Sequence, residues 1–389
     1  MRGLLVFVIS MFSHFLAAGA SSETVIAIGD VHGDHKQFVK LLQATKLIDS
    51  RLRWTGGQTH LVQLGDLPDR GPDTRKTMDL LLKLQASSVE QGGAVITLIG
   101  NHDMMNVMND LRYVDPGEYK AFKSRNSKRL RSNYYKQVVA FLTETLPEAE
   151  RPSFDKKWRK QWEQSHPLGY VEHRLAWAPT GTYGEWVLSR PTVAVVGDSL
   201  FVHGGISHNY ISMSIEDINT AVHSAMGEGD AAAETSILYD PLGPLWFRGW
   251  SQDLESEENT MALNSILNKY GVARMVVAHT PVLPVVVPRY DGKIIMVDVG
   301  LSQHYGHGFS ALKIENGQTM AMVGDRWFHL PSDSNQISVE AYLKEVRAAV
   351  ANPASIDRYL KSLGTQQVNE ASAAPAHENQ SQQNELLHP

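Results

Sequence analysis

The sequence has no cysteine among its 389 residues. This absence excludes disulfide bonds, thiolate zinc sites and cleavage of phosphate esters by a cysteine nucleophile. A metal site in this chain must therefore draw on the side chains of aspartate, asparagine, glutamate and histidine.

The chain also lacks a strong net charge and, after its first residues, any long apolar run. It has 36 Lys and Arg residues against 42 Asp and Glu, which gives a formal charge of −6. That balance does not favour nucleic acid or an anionic membrane as a partner. We therefore expect no nucleic-acid partner and no stable membrane insertion of the mature chain. With 42% hydrophobic residues, the chain can form one large domain with insertions.

The N-terminus has the pattern of a secretory signal peptide. A Met-Arg start is followed by an apolar run over residues 4–16 that is too short to span a bilayer. Ala18 and Ala20 form a small-x-small exit, which predicts cleavage after Ala20 and argues against an uncleaved anchor. We therefore assign residues 1–20 to a signal peptide and expect a periplasmic or secreted protein. In a eukaryote the same signal directs a chain into the secretory pathway.

Short runs rich in valine and isoleucine that end in glycine, aspartate or histidine recur along the chain. Such runs are typical of buried strands. Residues with helical spacing lie between the first three runs, which predicts an α/β core with functional residues at the carboxyl ends of its strands. The predicted strands are 24–28, 60–64, 94–99, 200–202, 274–278 and 293–299, and the predicted helix faces are Phe38, Leu41, Leu42 and Thr45, then Met78, Leu81, Leu82 and Gln85.

We expect a main domain over residues 24–330, interrupted by a helical insertion over residues 111–190. Residues 112–160 hold 13 Lys or Arg against 6 Asp or Glu, a local surplus of 7 positive charges. Two interpretations stay open: a lid that attracts phosphorylated substrates, or solvated helix faces. The apolar residues with helical spacing in this region are Tyr134, Tyr135, Val138, Val139 and Leu142, then Phe154, Trp158 and Trp162.

The C-terminal part of the chain divides into helices and a polar tail. Residues 331–364 predict one or two helices, with an apolar face that docks on the main domain. Residues 365–389 are rich in polar and small residues and are predicted to be disordered. The docking face consists of Val339, Tyr342, Leu343, Val346 and Val350.

Five turns that follow predicted strands carry carboxylate, amide or imidazole side chains beside glycine or proline. A pair of divalent ions needs such a mixture of ligands, with one carboxylate shared between the ions. Glycine suits these turns because the chain often needs a positive φ there and passes close to ions and substrate. The turns are Gly29-Asp30-Val31-His32-Gly33-Asp34, Gly65-Asp66-Leu67-Pro68-Asp69-Arg70-Gly71, Gly100-Asn101-His102-Asp103, Val202-His203-Gly204-Gly205 and Ala278-His279-Thr280-Pro281.

The order of these turns assigns six metal ligands. Each turn alone is a weak signal, because a single histidine after a strand is more often structural than a ligand. The ordered set indicates a site for two divalent ions. The ligands are Asp30 and His32 for one ion, Asn101, His203 and His279 for the other, and Asp66 as the bridge.

Four neighbouring residues are assigned to catalysis and phosphate binding. His102 beside Asn101 is the expected proton donor to the leaving oxygen, and Asp69 is expected to orient its imidazole. Arg70 and Arg248 are the expected phosphate clamps, because a guanidinium matches two phosphoryl oxygens. The alternatives are a surface ion pair for Arg70 and a structural role for Arg248.

Two further features complete the candidate site. Tyr305 and His307 lie in a glycine-rich loop, where they either line the pocket or are ordinary loop residues, and we treat His307 as a loop residue. Asp73 follows the second ligand turn and is expected to cap the helix that begins there.

The ordered motifs resemble those of the calcineurin-like metallophosphoesterases and, within them, the phosphoprotein phosphatase superfamily. The segments 100–114 and 243–249 look like those of the Shewanella-like protein phosphatases. The resemblance covers residues 25–314 and implies a β-sandwich flanked by helices, with the same six ligands. Asp103 stands where the animal and fungal Ser/Thr enzymes have glutamate, and Ala278 where a glycine is usual. These departures argue against close kinship with the regulated Ser/Thr phosphatases.

The sequence therefore predicts a two-metal phosphomonoester hydrolase in which a metal-activated hydroxide attacks phosphorus. Its substrate is expected to be a phosphorylated protein or a small phosphomonoester, and the resemblance implies a preference for phosphotyrosine. Manganese, iron and zinc all suit the ligands. One alternative is a nucleotide hydrolase of the diadenosine-tetraphosphatase kind, against which the complete Asp69-Arg70-Gly71 turn counts. Another is a catalytically inactive phosphate-binding protein, which predicts a missing ligand or acid.

Overall fold

The computed structural model describes residues 24–228, 236–331 and 336–362. The predicted signal peptide over residues 1–20 and the predicted disordered tail over residues 365–389 lie outside the described residues. The strands are β1 Val25–Ile28, β2 His60–Gln63, β3 Ala94–Thr97, β4 Val193–Val196, β5 Ser199–Val202, β6 Arg274–Val277, β7 Val287–Arg289, β8 Ile294–Met296, β9 Ser310–Glu315, β10 Gln318–Val323 and β11 Arg326–His329.

Besides a helical segment at residues 354–362, twelve α-helices flank these strands or form the insertion in the described part of the chain. They are α1 His35–Ala44, α2 Thr74–Val89, α3 Asn101–Val107, α4 Pro116–Phe122, α5 Ser127–Thr145, α6 Lys156–Ser165, α7 Tyr170–Trp177, α8 Thr182–Leu188, α9 Ile215–Gly227, α10 Gly249–Gln252, α11 Glu257–Tyr270 and α12 Gln336–Val346. No helix of residues 24–228, 236–331 and 336–362 is both long and apolar enough to cross a membrane.

The strands form two mixed sheets. The first has the order β11-β10-β9-β1-β2-β3, and the second has the order β4-β5-β6-β8-β7. In the first sheet β1, β2 and β3 are parallel, and in the second β5, β6 and β8 are parallel. Apolar side chains of both sheets meet in one core, for example Ile26 of β1 and Val276 of β6. This is the α/β fold with two sheets and flanking helices that the sequence predicts.

All six predicted strands are present, but sequence reasoning missed β4, β7 and the three strands β9 to β11. Each missed strand pairs antiparallel with a neighbour. Of these strands β4, β7 and β11 lie at sheet edges, and polar residues interrupt the apolar runs of β9 and β10. In β9, for example, Lys313 and Glu315 are only partly buried. A search for continuous buried runs passes over such strands.

Two details of α2 differ from the prediction. On α2 the buried leucines are Leu80, Leu81 and Leu84, whereas Leu82 is only partly buried. Asp73 occupies the N-cap position of α2 as expected, but its side chain makes no capping hydrogen bond. Instead, the amide of Thr74 donates to the carboxylate of Glu118 at 3.1 Å. The positive end of the helix is thus satisfied by a side chain from α4.

Residues 111–190 contain helices α4 to α8, whose contacts are largely aromatic. The apolar face of α5 is half-buried, and Phe141 at its end is 63% exposed. Tyr135 of α5 lies edge-on to Trp162 of α6 at 5.1 Å between ring centroids. His166 stacks on Trp162 at 4.1 Å. The outer part of this region is therefore a thin aromatic layer rather than a second core.

Helix α12 lies against the main domain through the residues that the sequence singled out. Tyr342, Leu343 and Val346 are all buried, and Val339 is 6% exposed. The hydroxyl of Tyr342 donates to the carbonyl of Val286 at 2.8 Å.

Candidate metal centre

The six predicted ligands converge at the carboxyl ends of strands from both sheets. Each lies one to four residues after the end of a parallel strand, and Asn101 is also the first residue of α3. Their proximity therefore follows from the strand order, since the carboxyl ends of parallel strands share one edge. Their exposed fractions are Asp30 4%, His32 3%, Asp66 1%, Asn101 2%, His203 0% and His279 5%.

Asp66 lies at the middle of the cluster. Its Oδ2 is 3.7 Å from Nε2 of His32, and its Oδ1 is 3.4 Å from Nε2 of His203. The two oxygens of one carboxylate thus face two different histidines, as a shared ligand requires. Two groups of potential ligands contain Asp66, namely His32, Asp66 and His102, and Asp66, His203 and His279, with ligand atoms within 4.8 Å of one another in each group.

Asp30 and Asn101 complete the cluster on either side of Asp66. The carboxylate of Asp30 is 3.5 Å from Nε2 of His32. It also accepts a hydrogen bond from the amide of His279 at 3.2 Å, which ties the first sheet to the second. Oδ1 of Asn101 lies 3.0 Å from Nε2 of His203. Each of the six predicted ligands therefore either directs a donor atom into the centre or lies beside a residue that directs one there.

Backbone carbonyls orient two of the histidines. Nδ1 of His203 donates to the carbonyl of Leu64 at 2.7 Å, and Nδ1 of His32 donates to the carbonyl of Pro68 at 3.1 Å. An imidazole fixed in this way through Nδ1 presents Nε2 to a metal ion.

The ligands themselves, and not only the glycines beside them, adopt left-handed backbone conformations. The φ angle is 47° at His32, 53° at Asp66 and 67° at His279. Residues other than glycine rarely adopt such angles, and when they do they cluster at functional sites. Gly100 has a different role, because a Cβ at this position would collide with the carboxylate of Asp66. The sequence-based argument for glycine thus holds for close approach at Gly100.

The charges in the centre shift the pKa values of its members. Burial lowers the pKa of His32, but the hydrogen bond with Asp30 and the charges of Asp66 and Asp30 outweigh it and raise the pKa to about 9. Burial opposes the same shift at His203, where Asp66 and Asp30 raise the pKa to about 9. For Asp66 burial opposes the ionised form, but His203, His102 and His32 hold its pKa well below the usual range. The carboxylates thus favour positive charge on the neighbouring imidazoles, and a metal cation can take the place of those protons.

The ring of His279 has two features that suit a metal ligand. Burial, and then the charges of His203 and Arg248, lower its pKa well below the usual range, so its ring is neutral. Its Nε2 is buried and has no hydrogen-bond partner among the described residues. An unpaired buried nitrogen costs stability unless something binds it. A divalent cation would use this nitrogen together with the carboxylates, so the residues present fit divalent metal ions.

His102 and Asp69 form the pair that the sequence predicts. Nδ1 of His102 lies 2.5 Å from Oδ2 of Asp69, and both side chains are buried. Nε2 of His102 faces the centre, 3.9 Å from Oδ2 of Asp66. The carboxylate therefore fixes the ring while the other nitrogen is left for chemistry.

The two predicted phosphate clamps, Arg70 and Arg248, have different surroundings. The guanidinium of Arg70 stacks on the ring of Tyr113 at 4.0 Å, and its Nε is buried with no hydrogen-bond partner among the described residues. Arg248 donates through one nitrogen to the carbonyl of His279 at 2.9 Å and to the hydroxyl of Thr280 at 3.0 Å. Arg248 thus also supports the loop that carries a ligand. It lines a cavity of about 570 Å³ together with Arg112, Trp246 and Phe247.

Tyr305 and His307 of the glycine-rich loop have different neighbours. The ring of Tyr305 lies 5.2 Å from the ring of His32 and is 39% exposed, so it flanks the mouth of the centre. Nδ1 of His307 instead lies 2.9 Å from Nε2 of Gln37 and 3.7 Å from the carboxylate of Asp34. Treating His307 as a loop residue agrees with this position.

Sequence reasoning missed several residues that support the centre. Asp103 accepts hydrogen bonds from the amides of Asp66 and Gly100. Asp298 is buried, and burial followed by the charge of Asp30 raises its pKa well above the usual range. Asn106 donates to Asp69 at 2.9 Å. Two of these carried a readable signal: Asp103 belongs to the third ligand turn, and Asn106 lies four residues after His102 and so shares a helix face with it.

The comparisons with known proteins agree with this geometry. Residues 23–283 match the family model for calcineurin-like phosphoesterases. Shewanella-like protein phosphatase 2 of Arabidopsis thaliana is 32% identical over 292 residues, which cover 74% of this chain and 73% of the relative. Shewanella-like protein phosphatase 1 of Plasmodium berghei (strain Anka) is 26% identical over 77% of this chain and 73% of its own length.

Solved structures share the fold. The cold-active protein-tyrosine phosphatase of a psychrophilic Shewanella sp. superposes with a TM-score of 0.59 at 24% sequence identity, over 79% of this chain and 80% of that one. The family model, the Arabidopsis relative and the two ligand groups around Asp66 lead to one conclusion. This chain belongs to the calcineurin-like phosphoesterase family and, within it, to the Shewanella-like protein phosphatases, and it is a metal-dependent phosphatase.

Proposed function

We propose that this phosphatase hydrolyses phosphomonoesters on proteins, that it prefers phosphotyrosine, and that it uses two divalent ions. The observation that carries the proposal is the position of Asp66, whose two oxygens face His32 and His203. Asp30 and His32 would hold one ion. Asn101, His203 and His279 would hold the other. Manganese, iron and zinc all suit this mixture of carboxylate, amide and imidazole.

Bound ions would supply Lewis acidity that activates a water nucleophile and offsets charge on the phosphoryl group. The residues of the chain have the remaining tasks. His102 donates a proton to the leaving oxygen, and Asp69 holds its ring in the required orientation. Arg70 and Arg248 bind phosphoryl oxygens, since a guanidinium remains charged at any working pH. The guanidinium of Arg70 lies over the ring of Tyr113, a contact that uses no hydrogen-bond donor, and its Nε has no hydrogen-bond partner among the described residues.

The preference for phosphotyrosine is supported by the aromatic residues around the centre. Tyr305 lies beside His32, and Tyr113 lies 5.1 Å from the ring of His102. One ring thus lies beside the first ligand turn and the other beside the third. An aryl leaving group can pack against them. The similar fold of a bacterial protein-tyrosine phosphatase is consistent with this preference.

Initial rates on a phosphotyrosine peptide, a phosphoserine peptide and diadenosine tetraphosphate test the proposal, with metal content measured in the same preparation. We expect the highest kcat/KM on the phosphotyrosine peptide. Equal values on all three substrates would contradict a protein phosphatase, and the highest value on the dinucleotide would favour a nucleotide hydrolase. A metal-loaded protein with no activity on any of them would be a phosphate-binding protein.

We also propose that the protein is exported, to a periplasm or as a secreted protein. The support is the sequence pattern of residues 1–20, which lie outside the described residues. N-terminal sequencing of the mature protein from its host should begin at Ser21. A mature chain that begins at Met1 would contradict a cleaved signal.

A further inference from the structure

Asn106 lies one turn after His102 on α3 and contacts the catalytic pair from behind. Its side chain is fully buried. Nδ2 of Asn106 donates to Oδ1 of Asp69 at 2.9 Å and to the carbonyl of His102 at 3.0 Å. The other oxygen of Asp69 lies 2.5 Å from Nδ1 of His102. One carboxylate is therefore bound on both sides by residues of the same helix.

We propose that Asn106 is a positioning residue for the proton donor His102 and that it acts through Asp69. The inference rests on the proposed function, in which His102 protonates the leaving oxygen. With its second oxygen fixed by Asn106, the carboxylate of Asp69 cannot rotate away from the imidazole. Asp69 needs this support because its φ is 73°, and the next residue, Arg70, has a φ of 66°. A turn in this conformation is strained and must be held by its surroundings.

The burial of the pair means that no solvent replaces Asn106. The side chain of Asp69 is 0% exposed. Removal of the amide would leave one carboxylate oxygen without a donor in a dry environment, where the loss is greatest. The carboxylate would then turn to recover a second hydrogen bond, and the ring of His102 would lose its fixed direction.

A stability role alone does not explain an amide at this position. Oδ1 of Asn106 is buried and has no hydrogen-bond partner among the described residues. Such an unpaired oxygen is unfavourable, and leucine, which is close to asparagine in size, would avoid it. The donor contact with Asp69 is what an apolar residue could not supply.

The insertion anchors this arrangement. A guanidinium nitrogen of Arg174 on α7 donates to the carbonyl of Asn106 at 2.6 Å. Since α3 is only the seven residues Asn101–Val107, this contact fixes its final turn. The helical insertion and the catalytic pair are thus joined through Asn106.

The test compares aryl phosphates whose leaving phenols differ in acidity. A proton donor matters most for a poor leaving group and little for an acidic one. Asn106→Leu should lose about 10-fold in kcat on phenyl phosphate, as outer-shell changes commonly do. On a strongly acidic leaving group such as dinitrophenol the loss should stay within about twofold, in keeping with the small need for a proton donor. Metal content should be unchanged.

Val107→Ala is the matched structural control, because Val107 is buried on the same helix and its apolar side chain cannot hydrogen-bond to Asp69. It should change all rates by the same factor. If Asn106→Leu does not fold, Asn106→Ala serves, since its truncation matches that of the control. Equal losses on every leaving group in the Asn106 variants, or no loss, would overturn the inference.

His102→Asn provides the reference that separates the two possible failures. A steep dependence on the leaving group in His102→Asn with a flat one in Asn106→Leu would reject the inference and leave the proposed function intact. A flat dependence in His102→Asn itself would reject the proposed proton donor, and the positioning role with it. In the double variant of His102 and Asn106, the Asn106 change should not alter the dependence of kcat on the acidity of the leaving phenol any further. Both substitutions act on the same proton transfer, so their effects are not additive.

Discussion

The carboxylate of Asp103 accepts a hydrogen bond from the backbone amide of Asp66 at 2.7 Å. This carboxylate also pairs with Arg190 at 2.9 Å, and both side chains are almost fully buried. Asp66 has a φ of 53°, so its conformation depends on what holds its amide. The aspartate that distinguishes this motif from that of the animal and fungal Ser/Thr enzymes therefore supports the shared ligand.

Arg190→Met should destabilise the protein by about 3 kcal/mol or more, because it leaves the charge of Asp103 buried and unpaired. Denaturant unfolding measures the change. Arg274→Met is the control, since Arg274 pairs with Asp198, whose side chain is 49% exposed. That pair should contribute less than about 1 kcal/mol. Equal losses in the two variants would contradict the importance of the buried pair.

Glu118 should make stability depend on pH. Burial raises its pKa to about 8, although hydrogen bonds from the Thr74 and Arg75 amides act in the opposite direction. The folded pKa lies above the ordinary glutamate value of 4.5, so the stabilising contribution is complete below about 4.5 and is lost as the pH rises through about 8. At about 1.4 kcal/mol per pKa unit, the loss amounts to a few kcal/mol.

Glu118→Gln keeps the shape and an acceptor for Thr74 but removes the titration. Its free energy of unfolding should fall less than that of the wild type between pH 5 and pH 9. Glu90→Gln, at an exposed position at the end of α2, is the control and should follow the wild type. If the Glu118 variant and the wild type give parallel profiles, the carboxyl does not titrate in this range.

Tyr305→Ala should reduce kcat/KM for a phosphotyrosine peptide by about fivefold relative to a phosphoserine peptide, since an aromatic pair contributes about 1 kcal/mol. Its ring lies beside His32 at the mouth of the centre. Gln303→Ala, an exposed position in the same loop, should leave the ratio unchanged. An unchanged ratio in Tyr305→Ala would show that this ring does not select the leaving group.

The convergence of the six predicted ligands could be predicted from the sequence because metal chemistry allows few residue types and parallel strands bring their carboxyl ends together. Each ligand turn follows an apolar run that is easy to recognise. Asp103 and Arg190 could not be paired in this way, since 87 positions separate them and an ion pair leaves no local pattern. The cap of α2 by Glu118 was missed for the same reason, because its partner lies 44 positions away.

The antiparallel strands and the insertion mark the other limit of prediction. Polar residues interrupt the apolar runs of strands β9 to β11, so their sequence patterns resemble those of loops. The aromatic residues of α5 and α6 follow helical spacing, but spacing does not show that they would form a half-exposed layer. The local surplus of positive charge in residues 112–160 stays open between a lid and solvated helix faces.

Metal content of the wild type and of Asp66→Asn tests the central claim most directly. Asp66 belongs to both ligand groups, so its loss should affect both ions rather than one. We predict about two divalent ions per chain in the wild type, as a shared-carboxylate site holds, and less than about one in Asp66→Asn, with activity lost in parallel. A wild type that binds no more than one ion, or an Asp66→Asn variant that retains both, would contradict the account.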